Sequence, residues 1–187
     1  YAKRSAQGLI LGSDGDKMSK SKGNVVDPNN VVDSFGADVL RIYVLFMGNY
    51  GDAAPWSDEG VKGAKRFLER FAALDENIKD TMSAKVEKAL HKTIKKVSED
   101  IESMKYNTAI ASMMSLVNEI SAEGGINKEG LKIFSKLLCP FAPHISEEMW
   151  SVCGGEGFCS EAAWPEYDPE KIKDVIGSGG KTIQKII

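Results

Sequence analysis

The chain is poor in the residues that bind metals or cross-link a fold. Its 187 residues include two histidines and three cysteines. Cys139, Cys153 and Cys159 are odd in number, no CxxC pair occurs, and His91 and His144 lie far apart. A zinc site draws its ligands at closer spacing, so no bound metal is expected, and free thiols in a reducing compartment are the natural reading. Long apolar runs are missing too. Nothing approaches the roughly 18 residues of a membrane-crossing helix. The opening Tyr1-Ala2-Lys3-Arg4-Ser5 lacks the apolar stretch of a signal peptide. The expectation is a cytoplasmic protein with no membrane partner, and the lack of an initiator Met suggests a piece of a longer chain. An excess of positive charge is also absent. With 24 Lys and Arg against 27 Asp and Glu, the formal net charge is −3. Indiscriminate nucleic-acid binding rests on phosphate neutralisation and is not expected, which leaves room for a local basic face.

What the sequence does offer is concentrated near its front. Lys17-Met18-Ser19-Lys20-Ser21 continues into Lys22-Gly23-Asn24 and is bracketed by Gly12, Gly15 and Gly23. Lysines supply positive charge, hydroxyls and backbone N–H groups supply directed donors, and glycines let the backbone approach closely, so such a loop suits a polyphosphate. A charge-assisted hydrogen bond contributes roughly 1.5–3 kcal/mol against about 1 for a neutral one, so two well-aimed lysines matter. A lysine-rich loop of arbitrary order is a solvated surface turn; the order here is the more specific feature.

Around this loop the pattern turns helical. The run 6–12 reads as a short strand or loop edge feeding the lysines. Asp27-Pro28 opens a helix with Val31, Val32 and Phe35 at helical spacing, and Gly36 stops it. Residues 37–47 are apolar nearly all round, which predicts burial on most sides. Arg41 has two readings, an ion pair with Asp38 or a contact to the loop or to RNA. Ser57 caps the next helix, whose stripe Val61, Ala64, Phe67, Leu68, Phe71, Leu74 and Ile78 recurs at three and four. Opposite it Lys62, Arg66 and Arg70 stand four residues apart, as a solvated face or an RNA-backbone contact. A long helix carries Val86, Leu90, Ile94, Val97, Ile101 and Met104. Asn107 is expected to cap the following one, which holds Ile110, Met113, Met114, Val117 and Ile120 and stops at Gly124-Gly125. The two methionines suit core filling. Shorter helices hold Leu131 to Leu138 and Ile145 to Trp150. His144, with Glu147 and Glu148 a turn later, reads as a capping or packing residue, since no nucleophile accompanies it. Amphipathic helices on short linkers predict a mostly α fold, an antiparallel helix bundle.

The order K-M-S-K-S resembles the signature loop of class I aminoacyl-tRNA synthetases, and Gly23-Asn24-Val25-Val26-Asp27-Pro28 is similar to the subgroup handling branched aliphatic amino acids. Gly36-Ala37-Asp38-Val39-Leu40-Arg41-Ile42-Tyr43 resembles that family's GADxLRxY pattern. Trp56-Ser57-Asp58-Glu59-Gly60, Tyr106-Asn107-Thr108-Ala109, Pro140-Phe141-Ala142-Pro143-His144 and Trp164-Pro165-Glu166-Tyr167-Asp168 follow in the order of the leucyl branch. The proline-flanked segment is shared with the isoleucyl, valyl and methionyl branches, so an equivalent piece of one of those is an alternative. The resemblance implies that residues 1–50 end a Rossmann-type catalytic domain, that 51–168 form an anticodon-binding-type bundle, and that 169–187 are a truncated tail. It further implies that Lys17 and Lys20 act on the ATP phosphates, with Met18, Ser19 and Ser21 completing the ATP contact. The implied partners in the full-length enzyme, a monomer, are ATP with Mg2+, leucine and tRNA(Leu). The piece by itself would be inactive.

Residues 170–187 read as helix, glycine turn, helix. Ile176-Gly177-Ser178-Gly179-Gly180 resembles the GxxG centre of a KH domain, whose loop clamps single-stranded nucleic acid. Gly177 and Gly180 join Lys62, Arg66 and Arg70 as candidate RNA contacts. They also support a rival reading, a non-catalytic RNA-binding module made of bundle and tail.

Overall fold

The computed structural model describes residues 5–173 of the chain; Gly177, Gly180 and the remainder of the glycine-rich tail lie outside them. Eight helices among the described residues carry the fold: α1 Pro28–Phe35, α2 Ala37–Phe46, α3 Asp58–Ala72, α4 Ala84–Glu102, α5 Tyr106–Ala122, α6 Lys128–Leu138, α7 Pro143–Val152 and α8 Pro169–Ile172. Two-residue strands stitch them in parallel pairs, β1 Ile10–Leu11 with β2 Ala54–Pro55 and β3 Ile78–Lys79 with β4 Ile126–Asn127.

Local chemistry explains most of the boundaries. Asp27, Ser57, Ser83, Asn127 and Asp168 each accept a backbone N–H of the helix that they precede, the arrangement that satisfies otherwise orphaned donors. Helices α4, α5 and α7 end in one motif, a six-to-one bond enclosing a shorter one: Lys105 N to Asp100 O, Gly125 N to Ile120 O and Gly155 N to Trp150 O. The residue in the left-handed conformation is Gly124 and Gly154 in two of them but Met104, at φ 56°, in α4. Glycine usually occupies this position. The apolar Met104 therefore disguises a helix end, and the helix expected to run through it stops at Glu102.

Two further boundaries differ from expectation. Asn107 does not cap α5; the helix begins at Tyr106 behind Lys105, and Asn107 is its second residue. The stripe of α3 does not reach Ile78 as helix. A 3-10 turn spans Ala73–Asn77, and Ile78 pairs with the fully buried Ile126 in β3–β4. That tertiary partner outweighs a helical spacing.

One hydrophobic core runs from Val31 in α1 to Met149 in α7, with Leu90, Ile94, Ile110, Met113, Leu116, Phe134 and Phe141 at most 2% exposed. Each such side chain contributes roughly 1.5–3 kcal/mol relative to exposure. The α4–α5 hairpin is the largest helix pair. The near-complete burial expected of α2 is not found. Val39, Ile42 and Tyr43 are buried, Leu40, Val44 and Leu45 are half-buried, and Phe46 is exposed, because bundle helices cover one side of it.

The stretch 164–171 runs back along α4. Trp164 Nε1 donates to Ser98 Oγ at 2.8 Å, Asp168 N to His91 Nδ1 at 3.0 Å, and Lys171 pairs with Glu87. Lys95 stands 5.7 Å over the Tyr167 ring.

Candidate functional site

The lysine-rich loop is built from the short contacts of residues 12–24. Its base is an antiparallel bridge between Leu11 and Lys17, with Gly12 N bonded to Asp16 O at 2.8 Å. Asn24 is the staple. Its Oδ1 accepts Ser19 N at 2.8 Å, and its Nδ2 donates to both carboxylate oxygens of Asp14 and to Lys17 O. Asp14 is held below the usual carboxylate range, chiefly by the Asp16 N–H and with help from Asn24 against the opposing effect of desolvation. Ser19 and Ser21 share a hydroxyl–hydroxyl bond of 2.7 Å, and Lys20–Lys22 form a single 3-10 turn. Met18 is half-buried and packs on the core, so it holds the loop down.

The three lysines differ in what they are free to do. Lys22 is committed to Asp16 at 2.7 Å. Lys17 and Lys20 are exposed and make no ion pair among the described residues. Two uncompensated cations beside paired hydroxyls and a tight backbone turn make an anion-binding arrangement. Asn24 and Asp14 are the residues that sequence reasoning missed. The signal was an Asn and an Asp flanking the lysines, residue types that bond nearby backbone.

The cations of α3 separate in the same manner. Lys62 pairs with Glu59 at 2.6 Å, and Arg70 donates to Asn118 Oδ1 on α5 at 2.6 Å. Arg66 is exposed without an ion pair among the described residues. The structure thus brings Lys17, Met18, Ser19, Lys20 and Ser21 into one turn and sets Lys62, Arg66 and Arg70 on a different element.

Arg41 takes the first of its two readings, donating to Asp38 Oδ1 at 3.0 Å. His144 Nδ1 donates to the same oxygen at 2.9 Å, and the backbone N–H of Ile145 donates to Asp38 Oδ2 at 2.9 Å. Among the described residues no nucleophile is bonded to His144. Asp38 and His144 also line a cavity of about 480 Å³ among the α1–α2 junction, α3 and α7. Leading into α3, Tyr43 OH accepts Ser57 N at 2.7 Å, and Trp56 meets the Tyr43 ring edge-on at 4.8 Å. A side chain at Gly60 would come within 2.6 Å of that ring. The Trp56-to-Gly60 pattern is therefore a packing device for α2 against α3.

The three cysteines are free and buried. Burial raises all three thiols, and Cys159, which also touches Cys139, is pushed up to about 12. These are packing thiols without the thiolate character of a nucleophile or ligand. Among the described residues no group of three or more His, Cys, Asp or Glu is placed to hold a metal ion, and no helix is long and apolar enough to cross a membrane.

A family model for the anticodon-binding domain of tRNA ligase matches residues 84–187, and one for tRNA synthetases class I (I, L, M and V) matches residues 1–57. The chain is 47% identical over 178 residues to a leucine–tRNA ligase of Alkaliphilus oremlandii (strain OhILAs), covering 94% of this chain and 22% of the relative. It is 46% identical over 175 residues to the leucine–tRNA ligase of Bdellovibrio bacteriovorus (strain HD100), covering 90% and 22%. The chain therefore spans about a fifth of the length of the curated relatives that it matches. Its fold is similar to that in the crystal structure of the ternary complex of Agrobacterium radiobacter K84 agnB2 LeuRS-tRNA-LeuAMS, with a TM-score of 0.80, 32% identity and coverage of 89% of this chain and 24% of that one.

Proposed function

Because the chain belongs to the family of tRNA-ligase anticodon-binding domains, joined at its front to the class I synthetase pattern, we propose that it is a segment of a leucine–tRNA ligase. In the intact enzyme residues 1–50 close the catalytic domain and 51–168 form the tRNA-binding bundle. The intact enzyme is a cytoplasmic monomer that joins leucine to tRNA(Leu) at the expense of ATP.

In the activation step the leucine carboxylate attacks the α-phosphorus of ATP, an adenylate forms and pyrophosphate leaves. Negative charge builds on the phosphate oxygens, and preorganised cations lower that barrier without any covalent role. Mg2+ held by the nucleotide's own phosphates would supply further charge neutralisation. Lys17 and Lys20 meet the phosphates, Ser19 and Ser21 donate to phosphate oxygens once their mutual bond opens, and Met18 keeps the turn seated. Asn24 holds that turn in shape before ligand arrives, so little ordering remains for the reaction itself. On the bundle, Arg66 meets the RNA backbone most directly, with Lys62 and Arg70 released from Glu59 and Asn118 to join it.

The observation that carries this reading is the division among the lysines: Lys22 is neutralised by Asp16, while Lys17 and Lys20 remain exposed and uncompensated. Replacing Lys20 by Ala in the intact ligase should slow leucine-dependent ATP–pyrophosphate exchange by about 100-fold or more, the scale for losing one preorganised electrostatic contact. Affinity for tRNA should stay within a factor of two. An unchanged exchange rate rejects the role.

A further inference from the structure

We propose that Asp38 is a positioning residue, the joint that fixes the bundle relative to the nucleotide loop and so governs leucyl transfer to tRNA more than leucine activation. The proposal rests on the ligase reading above. Its basis is that one carboxylate serves the N-terminal ends of two helices. Asp38 is the second residue of α2, where negative charge suits the helix dipole. It also accepts the N–H of the third residue of α7, Ile145, at 2.9 Å. Helix α7 has no side-chain cap of its own, since Ala142 stands at its N-cap. Asp38 fills that role from 107 residues away.

Burial makes the joint consequential. Asp38 is 8% exposed; it pairs with Arg41 at 3.0 Å, and His144 Nδ1 bonds to the same oxygen at 2.9 Å. A buried carboxylate with two donors on one oxygen and a helix amide on the other has one favourable geometry. Apolar contacts leave one side of the joint open, because a cavity of about 480 Å³ lies beside it, between the start of α2, α3 and α7. Without the clamp, the helix ends have space to move into. The connection to the loop is short. Asp38 follows Gly36, which ends α1, and α1 begins directly after the loop at Pro28. Gly36 holds φ 92° and ψ 155°, a region essentially reserved for glycine, so the α1–α2 corner is itself defined.

Leucine and ATP meet the loop without needing the bundle in register. A tRNA that touches the bundle and delivers its end to the catalytic domain does need it. Loss of the joint should therefore appear in transfer and spare activation.

The test uses the intact ligase carrying Asp38→Ala, Asp38→Asn or His144→Ala, with leucine-dependent pyrophosphate exchange and tRNA charging measured side by side. Asp38→Ala should lower kcat/KM for tRNA at least tenfold while exchange stays within twofold. Asp38→Asn retains an acceptor for the Ile145 amide and should recover part of that loss, and His144→Ala should fall short of Asp38→Ala. A parallel fall in both reactions overturns the proposal in favour of general destabilisation, as does unchanged charging in Asp38→Ala. Should Asp38→Ala not fold, Asp38→Asn decides by the same split. A wild-type enzyme without leucine-dependent exchange refutes the ligase reading itself, an outcome separate from either.

Discussion

In the loop of residues 12–24, order comes from polar bonds among exposed groups, whereas in the α4–α5 hairpin it comes from apolar side chains sealed from water. Asn24 makes four hydrogen bonds to organise a turn with almost no hydrophobic content. Val86, Leu90, Val97, Ile110 and Ile120 are fully buried. The contrast fits the function proposed above. A surface proposed to receive a polyphosphate cannot be dry, so its shape is set by directional bonds whose breakage costs little globally. A scaffold has no such demand and takes the larger stabilisation of burial.

Substitutions in the two regions should therefore separate stability from activity. Ile110→Ala in α5 should destabilise the protein by about 2–5 kcal/mol, the range for truncating a fully buried aliphatic residue; chemical denaturation measures it. Lys20→Ala should shift the same curve by no more than about 0.5 kcal/mol while removing most exchange activity. Equal losses of stability would erase the distinction. At the corner between the regions, Gly36→Ala should cost about 1–3 kcal/mol through backbone strain, since no atom stands near the added methyl group. Asn24→Ala should cost about 1 kcal/mol or less in unfolding, yet slow pyrophosphate exchange severalfold by loosening the turn. A stability loss as large as that of Ile110→Ala would show that the loop is part of the core after all.

The smallest effect concerns pH. Desolvation, with the nearby Lys171, holds His91 below its usual value near 6.5, and its Nδ1 accepts the Asp168 N–H. The folded protein thus prefers neutral His91. Its contribution is present above pH 6.5 and is lost as the pH falls through the depressed value of the folded state. Melting temperatures of wild type and His91→Gln between pH 7.5 and 5.5 should diverge, with the wild type losing more. Identical slopes would count against the Asp168 contact.

Much of this was legible in advance. The stripes of α3, α4 and α5 follow from three-and-four spacing, and Asp27 and Ser57 advertise helix starts, because both signals depend on residues within a turn or two. Asn107 resembled a cap but lost to an earlier start at Tyr106, and Ile78 fitted a helix until Ile126 claimed it as a strand partner. The lysine loop was recognisable from residue order, yet nothing in that order separated Lys22, neutralised by Asp16, from the uncompensated Lys17 and Lys20. Asp38 looked like a local partner for Arg41, and the role it takes at α7 was invisible.

The sequence by itself determined that this protein is helical, where most of its helices begin, and that a lysine-rich turn stands at its front, since those properties are local in chain distance. The tertiary structure decided that Arg70 bonds Asn118, that Ile78 pairs with Ile126 and which carboxylate joins α2 to α7. Those outcomes depend on partners brought together from distant parts of the chain, and on the cost of leaving a buried polar group without one.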